Sequence, residues 1–143
     1  MAIKVVVDTN VLVAGLISGQ GPNREVLRRC LLGELQPIVG NALYLEYQDL
    51  LNRESIQFLC KQTSVSLMDF LDGFAQVCTP IDARYLWRPN LKDEAGNYLV
   101  ELAIAAGATY LITNNTADFA QAELKQLGYE VITPEDLLRL IKL

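Results

Sequence analysis

Acidic, hydroxyl and amide side chains gather at two points where short apolar runs of the sequence end. They are Asp8-Thr9-Asn10 after the run Ile3–Val7, and Thr113-Asn114-Asn115 with Asp118 after the run Thr109–Ile112. Their oxygen atoms are the ligands that hard cations such as Mg²⁺ and Mn²⁺ prefer. A cation held by carboxylates lowers the pKa of a bound water and neutralises phosphate charge. These residue types therefore predict a metal site that performs phosphoryl chemistry.

The two points belong to a chain in which predicted strands alternate with predicted helices. Strands are expected at 3–7, 37–40, 109–112 and 129–132, with a short edge strand near 77–81. Helices are expected at 22–32, 43–51, 53–60, 66–77, 93–106, 120–127 and from Pro134 onward. The alternation predicts the α/β class, as a three-layer α/β/α sandwich with a mainly parallel central sheet, in a single domain over residues 1–143. Functional groups of such sheets gather at the carboxyl ends of the strands, where both polar groups fall.

Glu46 and Asp93 add two further carboxylates to this set. Glu46 lies within one predicted helix, and Asp93 lies at the start of another. Each acid also has a purely structural explanation. Asp8 and Asp118 suit helix caps or turns, and Glu46 suits a solvated helix face. Asp93 suits the positive end of a helix dipole, as does Glu94. As a set, acids near strand ends and helix starts favour a hard-cation site.

The complete absence of histidine excludes several chemistries at once. Neither a Ser-His-Asp relay nor a histidine-ligated zinc site is possible. Three cysteines, Cys30, Cys60 and Cys78, lie far apart without a CxxC pair, so they are interpreted as buried thiols in a reducing compartment. Neither a GxGxxG dinucleotide fingerprint nor a GxxxxGK[ST] phosphate loop occurs in the sequence.

The net charge of −5 argues against a protein that coats nucleic acid through general basicity. It is compatible with a metal-dependent enzyme acting on nucleic acid, because the ligands of the metal are themselves acidic. Candidates for contacts to RNA phosphates are Arg84, Arg88 and Lys92 before the third acid, and Arg24, Arg28 and Arg29 on the helix predicted at 22–32. The alternative for each is an ordinary solubilising surface charge.

The start of the sequence reaches Asp8 before the apolar region of a signal peptide can form. No apolar run approaches the ~20 residues that a membrane helix needs. A cytoplasmic location without membrane attachment is therefore expected.

Four segments of the chain resemble PIN-domain proteins, a family that includes the VapC-like ribonuclease toxins of bacterial toxin–antitoxin pairs. The opening Val5–Val13, with the sequence VVVDTNVLV, resembles the first motif of the family, and Thr113–Phe119 resembles the closing motif. Glu46 stands where the family places its second acid, and Arg88–Ala103 resembles the helix of the third acid. The resemblance covers nearly the whole chain and implies a parallel sheet sandwiched by helices.

The resemblance also implies roles for individual residues. It implies a ribonuclease that depends on Mg²⁺ or Mn²⁺, with Asp8, Glu46 and Asp93 as metal ligands, and Asp118 completing the acidic cluster or orienting water. Hydrogen bonds to the carboxylates or to the scissile phosphate would come from Thr9, Asn10, Asn97, Thr113 and Asn115. An antitoxin protein is the implied partner. Homodimerisation is implied as well, and the many apolar positions of the last predicted helix agree with it.

Gly96 departs from the pattern of the family, whose third-acid segment usually carries an acid at this position. Asp93 precedes it by three residues on the same helical face, so Asp93 is a ligand in its own right or Glu94 reaches in. The alternative is a degenerate module that binds RNA or a protein partner without cleavage. A third hypothesis is an α/β phosphotransfer enzyme that acts on a small phosphate ester.

Overall fold

One parallel sheet forms the centre of the part of the chain that the computed structural model describes, residues 2–81, 94–119 and 128–141. Its strands are β1 (Ile3–Val7), β2 (Leu35–Val39), β3 (Thr79–Pro80), β4 (Tyr110–Ile112) and β5 (Glu130–Ile132). They lie in the order β3-β2-β1-β4-β5, and every neighbouring pair is parallel. The predicted parallel sheet is therefore confirmed.

Helices cover both faces of this sheet, which confirms the predicted α/β/α sandwich. They are α1 (Thr9–Ile17), α2 (Pro22–Leu31), α3 (Asn41–Leu51), α4 (Glu54–Cys60), α5 (Ser64–Val77), α6 (Glu94–Ala106) and α7 (Pro134–Leu140), with a 3₁₀ turn at Thr116–Phe119. Right-handed crossovers place α1 to α5 on one face, and α6 packs on β1, β2 and β4 from the other. No helix in the described ranges has the length and apolar character needed to cross a bilayer.

Strand β1 lies at the centre of the sheet because its side chains can be buried on both faces. Val5, Val6 and Val7 have no exposed surface. Val6 is in register with Ile38 of β2 on one side and with Leu111 of β4 on the other. After β1 the chain adds β2 and β3 on one side of this strand, and it then adds β4 and β5 on the other side. The gap between the carboxyl ends of β1 and β4 is thus the switch point where ligands of such sheets bind.

Several predicted helix boundaries are confirmed. Pro22 is the first residue of α2, and Gly107 ends α6 with a φ of +66°, a left-handed conformation that glycine adopts without strain. Thr133 caps α7, because its hydroxyl accepts a hydrogen bond from the backbone N–H of Asp136 at 3.1 Å. The helix predicted at 120–127 lies outside the described residues.

Three other boundaries differ from the sequence prediction. The sequence pattern assigned no element to residues 11–17, where the structure has α1. Strand β2 begins at Leu35 rather than near residue 37. The helix predicted at 66–77 begins two residues earlier, at Ser64, and the hydroxyl of Thr63 caps it by accepting a hydrogen bond from the backbone N–H of Ser66. The apolar stripe of α5 does not distinguish Thr63 from Ser66 as the capping residue, because the same side chains face the core in either case.

Candidate active site

Asp8 stands at the carboxyl end of β1, where the strand turns directly into α1. Its backbone N–H donates to the carbonyl oxygen of Ile112 at 2.9 Å, and its own carbonyl accepts from Val11 at the start of α1. Asp8 holds the N-cap position, yet its side chain makes no cap hydrogen bond to α1. The backbone N–H groups of Thr9 and Asn10 still stabilise the ionised carboxylate, which is 9% exposed, so capping explains only part of its surroundings.

The carboxylate of Asp8 is instead held by hydroxyl and amide groups from two strand ends. The Thr113 hydroxyl donates to Oδ2 of Asp8 at 2.8 Å. The side-chain amide of Asn10 lies 3.2 Å from the Thr113 hydroxyl oxygen and 3.4 Å from Oδ2 of Asp8. The Thr9 hydroxyl lies 3.3 Å from Oδ1. The structure thus brings together Asp8, Thr9, Asn10 and Thr113, as the sequence predicted.

The polar network continues from Asn10 into the loop after β4. The side-chain oxygen of Asn10 accepts from the backbone N–H of Asn114 at 3.2 Å, and the Asn114 amide donates to Oδ1 of Asn23 at 2.8 Å. The backbone N–H of Asn115 donates to the Thr113 hydroxyl oxygen at 3.1 Å. These bonds fix the 113–115 loop against the first turns of α1 and α2.

Burial governs the electrostatics of Asp8. Removal from water raises the pKa of this carboxyl, and the hydrogen bond from Thr113 offsets part of the increase. A buried carboxylate with hydroxyl and amide neighbours is a costly arrangement that a bound cation would relieve. The oxygen donors of Asp8 and of the groups around it fit a hard cation such as Mg²⁺ or Mn²⁺.

Glu46 lies on α3, and its neighbour Tyr47 ties this helix to the same strand end. Tyr47 is 1% exposed, and its hydroxyl donates to the carbonyl oxygen of Val7, the residue that precedes Asp8. The Tyr47 ring also packs edge-on against Phe74 of α5. Glu46 itself is half-buried rather than fully solvated. Tyr47 therefore anchors α3, the helix that carries Glu46, at the end of β1.

The remaining predicted site residues cannot be placed around Asp8. Arg84, Arg88, Lys92 and Asp93 lie outside the described residues, as do the side chains of Asn97 and Asp118. Of the backbone positions, residue 97 belongs to α6 and residue 118 to the 3₁₀ turn after β4. No group of three or more acids or cysteines that could hold a metal occurs within the described residues. Of the three predicted metal ligands, the structure thus describes Asp8 and Glu46.

One buried acid was missed by the sequence analysis. Glu101 of α6 is 2% exposed, although it carries a carboxyl. Leu99 and Leu102, which lie on either side of it in the sequence, are buried as well. Its position between two leucines is the sequence signal that could have indicated burial. The structure explains the burial, because α6 packs on three strands.

Arg28 and Arg29 form ion pairs with acidic residues that lie near them in the sequence. Glu25 accepts hydrogen bonds from both guanidinium groups at 2.7 to 2.9 Å, and Arg29 also pairs with Glu34 at 2.8 Å. The hydrogen bonds from Arg28 and Arg29 lower the pKa of Glu25 to about 2. Arg24 donates to the carbonyl oxygen of Gly15 at 3.1 Å. The alternative explanation as structural surface charges therefore suits Arg28 and Arg29 better than a role in gripping phosphates.

The fold and the site together define an α/β/α protein with a buried carboxylate, that of Asp8, at the switch point of a parallel sheet. Comparison with known families identifies the group, because a sequence model of the PIN domain matches residues 4–117. The chain belongs to the PIN-domain family, a family of nucleases. A comparison with curated proteins finds no match.

Proposed function

We propose that this protein is a ribonuclease that depends on Mg²⁺ or Mn²⁺ and hydrolyses phosphodiester bonds of RNA. The observation that carries the proposal is the buried Asp8 carboxylate at the switch point, held by the Thr113 hydroxyl and the side-chain amide of Asn10. Such a carboxylate costs folding energy and is retained where a site needs it. Membership of a nuclease family supports the same conclusion.

Asp8 and Glu46, together with Asp93, are the residues that would hold the metal. When bound, the metal would supply an activated water and neutralise charge on the phosphate. The protein's own contribution is to fix the ligands. Thr113 and Asn10 hold the Asp8 carboxylate in one orientation, with the Thr9 hydroxyl beside it, and Tyr47 fixes the helix of Glu46.

The other predicted site residues would act on the attacking water or on the RNA. Asp118 would orient the attacking water, and Asn97 and Asn115 would hydrogen-bond the scissile phosphate. Arg84, Arg88 and Lys92 are the proposed contacts to the RNA backbone, since the described Arg28 and Arg29 are already paired with acids.

The biological role that we propose is that of a toxin neutralised by an antitoxin protein, acting as a homodimer in the cytoplasm. Leu140 at the end of α7 is 62% exposed. An apolar side chain that is open to solvent supports a surface for a protein partner. Leu31 and Leu32 at the end of α2 are 43% and 57% exposed, and α2 packs against α7. Light scattering at several concentrations tests the dimer, and a monomer throughout would contradict it.

The activity is tested with purified protein and single-stranded RNA in Mg²⁺, in Mn²⁺ and in a chelator. We expect cleavage with either metal and none with the chelator. The variant Asp8→Asn should lose cleavage, whereas Asp72→Asn, an exposed acid on α5, should keep it. If the wild type cuts no RNA under any metal condition, or if Asp8→Asn cuts normally, the ribonuclease proposal is wrong.

A second candidate function is a PIN module that binds RNA or a protein partner without cleavage. The observation that favours it is Gly96, which stands in α6 where the resemblance places an acid. Calorimetric titration separates the two candidates. Heat of binding with millimolar Mg²⁺ or Mn²⁺ supports the nuclease, and its absence supports the binding module.

A further inference from the structure

A cavity of about 800 Å³ opens beside the acidic site, between the start of α3 and the face of α6. The end of β2, the end of β3 and the first turn of α3 form one side of it. Tyr98 and Leu102 of α6 form the other side. Its described lining residues are Val39, Gly40, Asn41, Ala42, Leu43, Tyr44, Pro80, Ile81, Tyr98 and Leu102. The volume lies within the ~300–1,000 Å³ typical of ligand pockets.

The register of the sheet places this cavity directly next to Asp8. Val6 of β1 is paired with Ile38 of β2, so continuing the register brings Asp8 level with Gly40. Neighbouring strands are about 4.8 Å apart, and both residues lie at the carboxyl edge. A polymer whose phosphate sits at Asp8 can therefore place an adjacent group into the cavity without crossing the sheet.

The chemistry of the lining favours a flat, uncharged group over a phosphate. None of the described lining residues carries a charge, and two of them, Tyr44 and Tyr98, are aromatic. Both rings are half-buried and pack against the hydrophobic core, which holds them in place. Asn41, whose side-chain amide can donate and accept hydrogen bonds, also lines the cavity.

Gly40 lets the side chain of Leu102 on α6 approach the end of β2 closely. A Cβ atom built at this position would lie 3.2 Å from Cδ1 of Leu102 and 3.6 Å from the carbonyl oxygen of Ile81. Both of these residues line the cavity. A side chain at residue 40 would therefore displace Leu102, which lines the cavity, by a few tenths of an ångström.

We propose that this cavity is a nucleobase subsite, in which one unpaired base of single-stranded RNA stacks on Tyr44 and Tyr98 next to the phosphate bound at Asp8. The inference rests on the proposed ribonuclease function and adds a substrate class to it. Unstacked bases are recognised in this way, by aromatic faces together with hydrogen bonds to the base edges. Base stacking on an aromatic ring tolerates any sequence, so the subsite selects single strands over duplexes.

An abasic scan tests the subsite. Cleavage of one short RNA is measured with every nucleotide replaced in turn by an abasic residue. We expect one position near the scissile bond at which loss of the base lowers kcat/KM about tenfold or more. The same comparison is repeated with Tyr44→Ala. In this variant the abasic replacement at that position should have no further effect, because the ring it stacked on is gone.

Two further variants distinguish loss of the subsite from loss of folding in Tyr44→Ala. Ala42 is exposed and lines the cavity, so Ala42→Leu fills the cavity without removing a buried contact, and it should reproduce the effect of Tyr44→Ala. Phe58 is 82% exposed on α4 and does not line the cavity, so Phe58→Ala should behave like the wild type. Equal sensitivity of wild type and Ala42→Leu to every abasic position would overturn the subsite.

The outcomes also separate this inference from the proposed function. If the wild type cleaves RNA without any dependence on a particular base, the ribonuclease stands and the subsite is wrong. If it cleaves no RNA, binding of intact and abasic RNA is compared by fluorescence anisotropy, and the same non-additivity between base and Tyr44 still supports the subsite. If Ala42→Leu leaves RNA binding and cleavage intact but abolishes binding of a protein partner, the cavity serves that partner and the inference is overturned.

Discussion

The hydroxyl of Thr113 donates a 2.8 Å hydrogen bond to Oδ2 of Asp8, across 105 positions of sequence. Thr113 has no exposed surface, so water cannot replace this bond. The two residues meet because β1 and β4 are adjacent and parallel, and both end at the same edge of the sheet. Thr113 thus stabilises the ionised form of the carboxylate that burial destabilises.

Replacement of Thr113 by valine should move the acidic limb of the rate–pH profile to higher pH. The variant keeps the shape of the side chain but removes the hydrogen bond to the Asp8 carboxylate, so the pKa of Asp8 rises further. Activity at pH 6 should fall more than activity at pH 8. The free energy of unfolding should fall by about 1–3 kcal/mol. Thr109→Val, at an exposed threonine before β4, serves as the control. An equal loss of rate at both pH values would contradict this role of Thr113.

Replacement of Asp8 by asparagine should abolish cleavage and stabilise the metal-free protein. Burial raises the pKa of Asp8 above its value in the unfolded chain, so the ionised carboxylate costs stability at neutral pH. The neutral amide avoids this cost, and we expect a gain of about 1 kcal/mol at pH 7. The gain should vanish as the pH falls below the ordinary Asp pKa of about 4, where the carboxyl is protonated in both states.

Thermal unfolding at several pH values, with and without Mn²⁺, measures this effect. Mn²⁺ should raise the Tm of the wild type but not that of Asp8→Asn, because the variant lacks a ligand. Asp72→Asn should respond to Mn²⁺ like the wild type. A lower Tm for Asp8→Asn without metal would show that the carboxylate is satisfied within the fold.

Replacement of Tyr47 by phenylalanine should weaken metal binding while leaving the fold intact. The variant keeps the buried ring against Phe74 but loses the hydrogen bond to the carbonyl oxygen of Val7. That carbonyl is then buried without its donor, at a cost of about 1–3 kcal/mol, and α3 is less firmly held at the end of β1. We expect a higher Kd for Mn²⁺ in calorimetry and a lower kcat, with KM for RNA little changed.

Tyr129 provides the matched control for Tyr47. It is 6% exposed, and its hydroxyl finds no hydrogen-bond partner among the residues that the structure describes. Tyr129→Phe should therefore keep metal affinity and equal or exceed the wild type in stability. If Tyr47→Phe binds Mn²⁺ as tightly as Tyr129→Phe, the hydroxyl of Tyr47 has no positioning role.

Introduction of a carboxylate by Gly96→Asp should strengthen metal binding and raise the rate of RNA cleavage. Residue 96 lies in the first turn of α6, where an acid also interacts favourably with the helix dipole. Replacing a helical glycine should add up to about 1 kcal/mol of stability. Gly73→Asp, at a half-buried helical glycine of α5 with open space at its Cβ position, controls for the general effect of an added charge. Weaker Mn²⁺ binding together with a lower Tm would show that residue 96 must stay small.

The elements with strong local signals were predictable from the sequence. Val5, Val6 and Val7 form a branched apolar run that is typical of a buried strand. Pro22 marks a helix start through its fixed φ, and Thr133 marks one through its side-chain hydroxyl. Helix α1 gives no comparable signal. Val11, Leu12, Gly15 and Leu16 are buried, but apolar residues surround them on every side, so no stripe of period 3.6 stands out.

The strand-end part of the candidate site was also predictable, because topology alone brings the ends of β1 and β4 together. The role of Tyr47 was not, since its spacing fits an ordinary core tyrosine and only the fold shows which carbonyl its hydroxyl reaches. Nor could the sequence predict that Glu101 is buried, since a carboxyl on a helix is normally solvated.

The central place of β1 in the sheet has a consequence for the nascent chain. Asp8 is synthesised before its neighbours Ile112 and Thr113, which follow it by more than one hundred residues. Until then the carboxylate has neither its strand partner nor its hydroxyl donor, and α1 and β2 can pack without completing the centre. The centre of the sheet is therefore completed only after β4 has been made and has inserted beside β1.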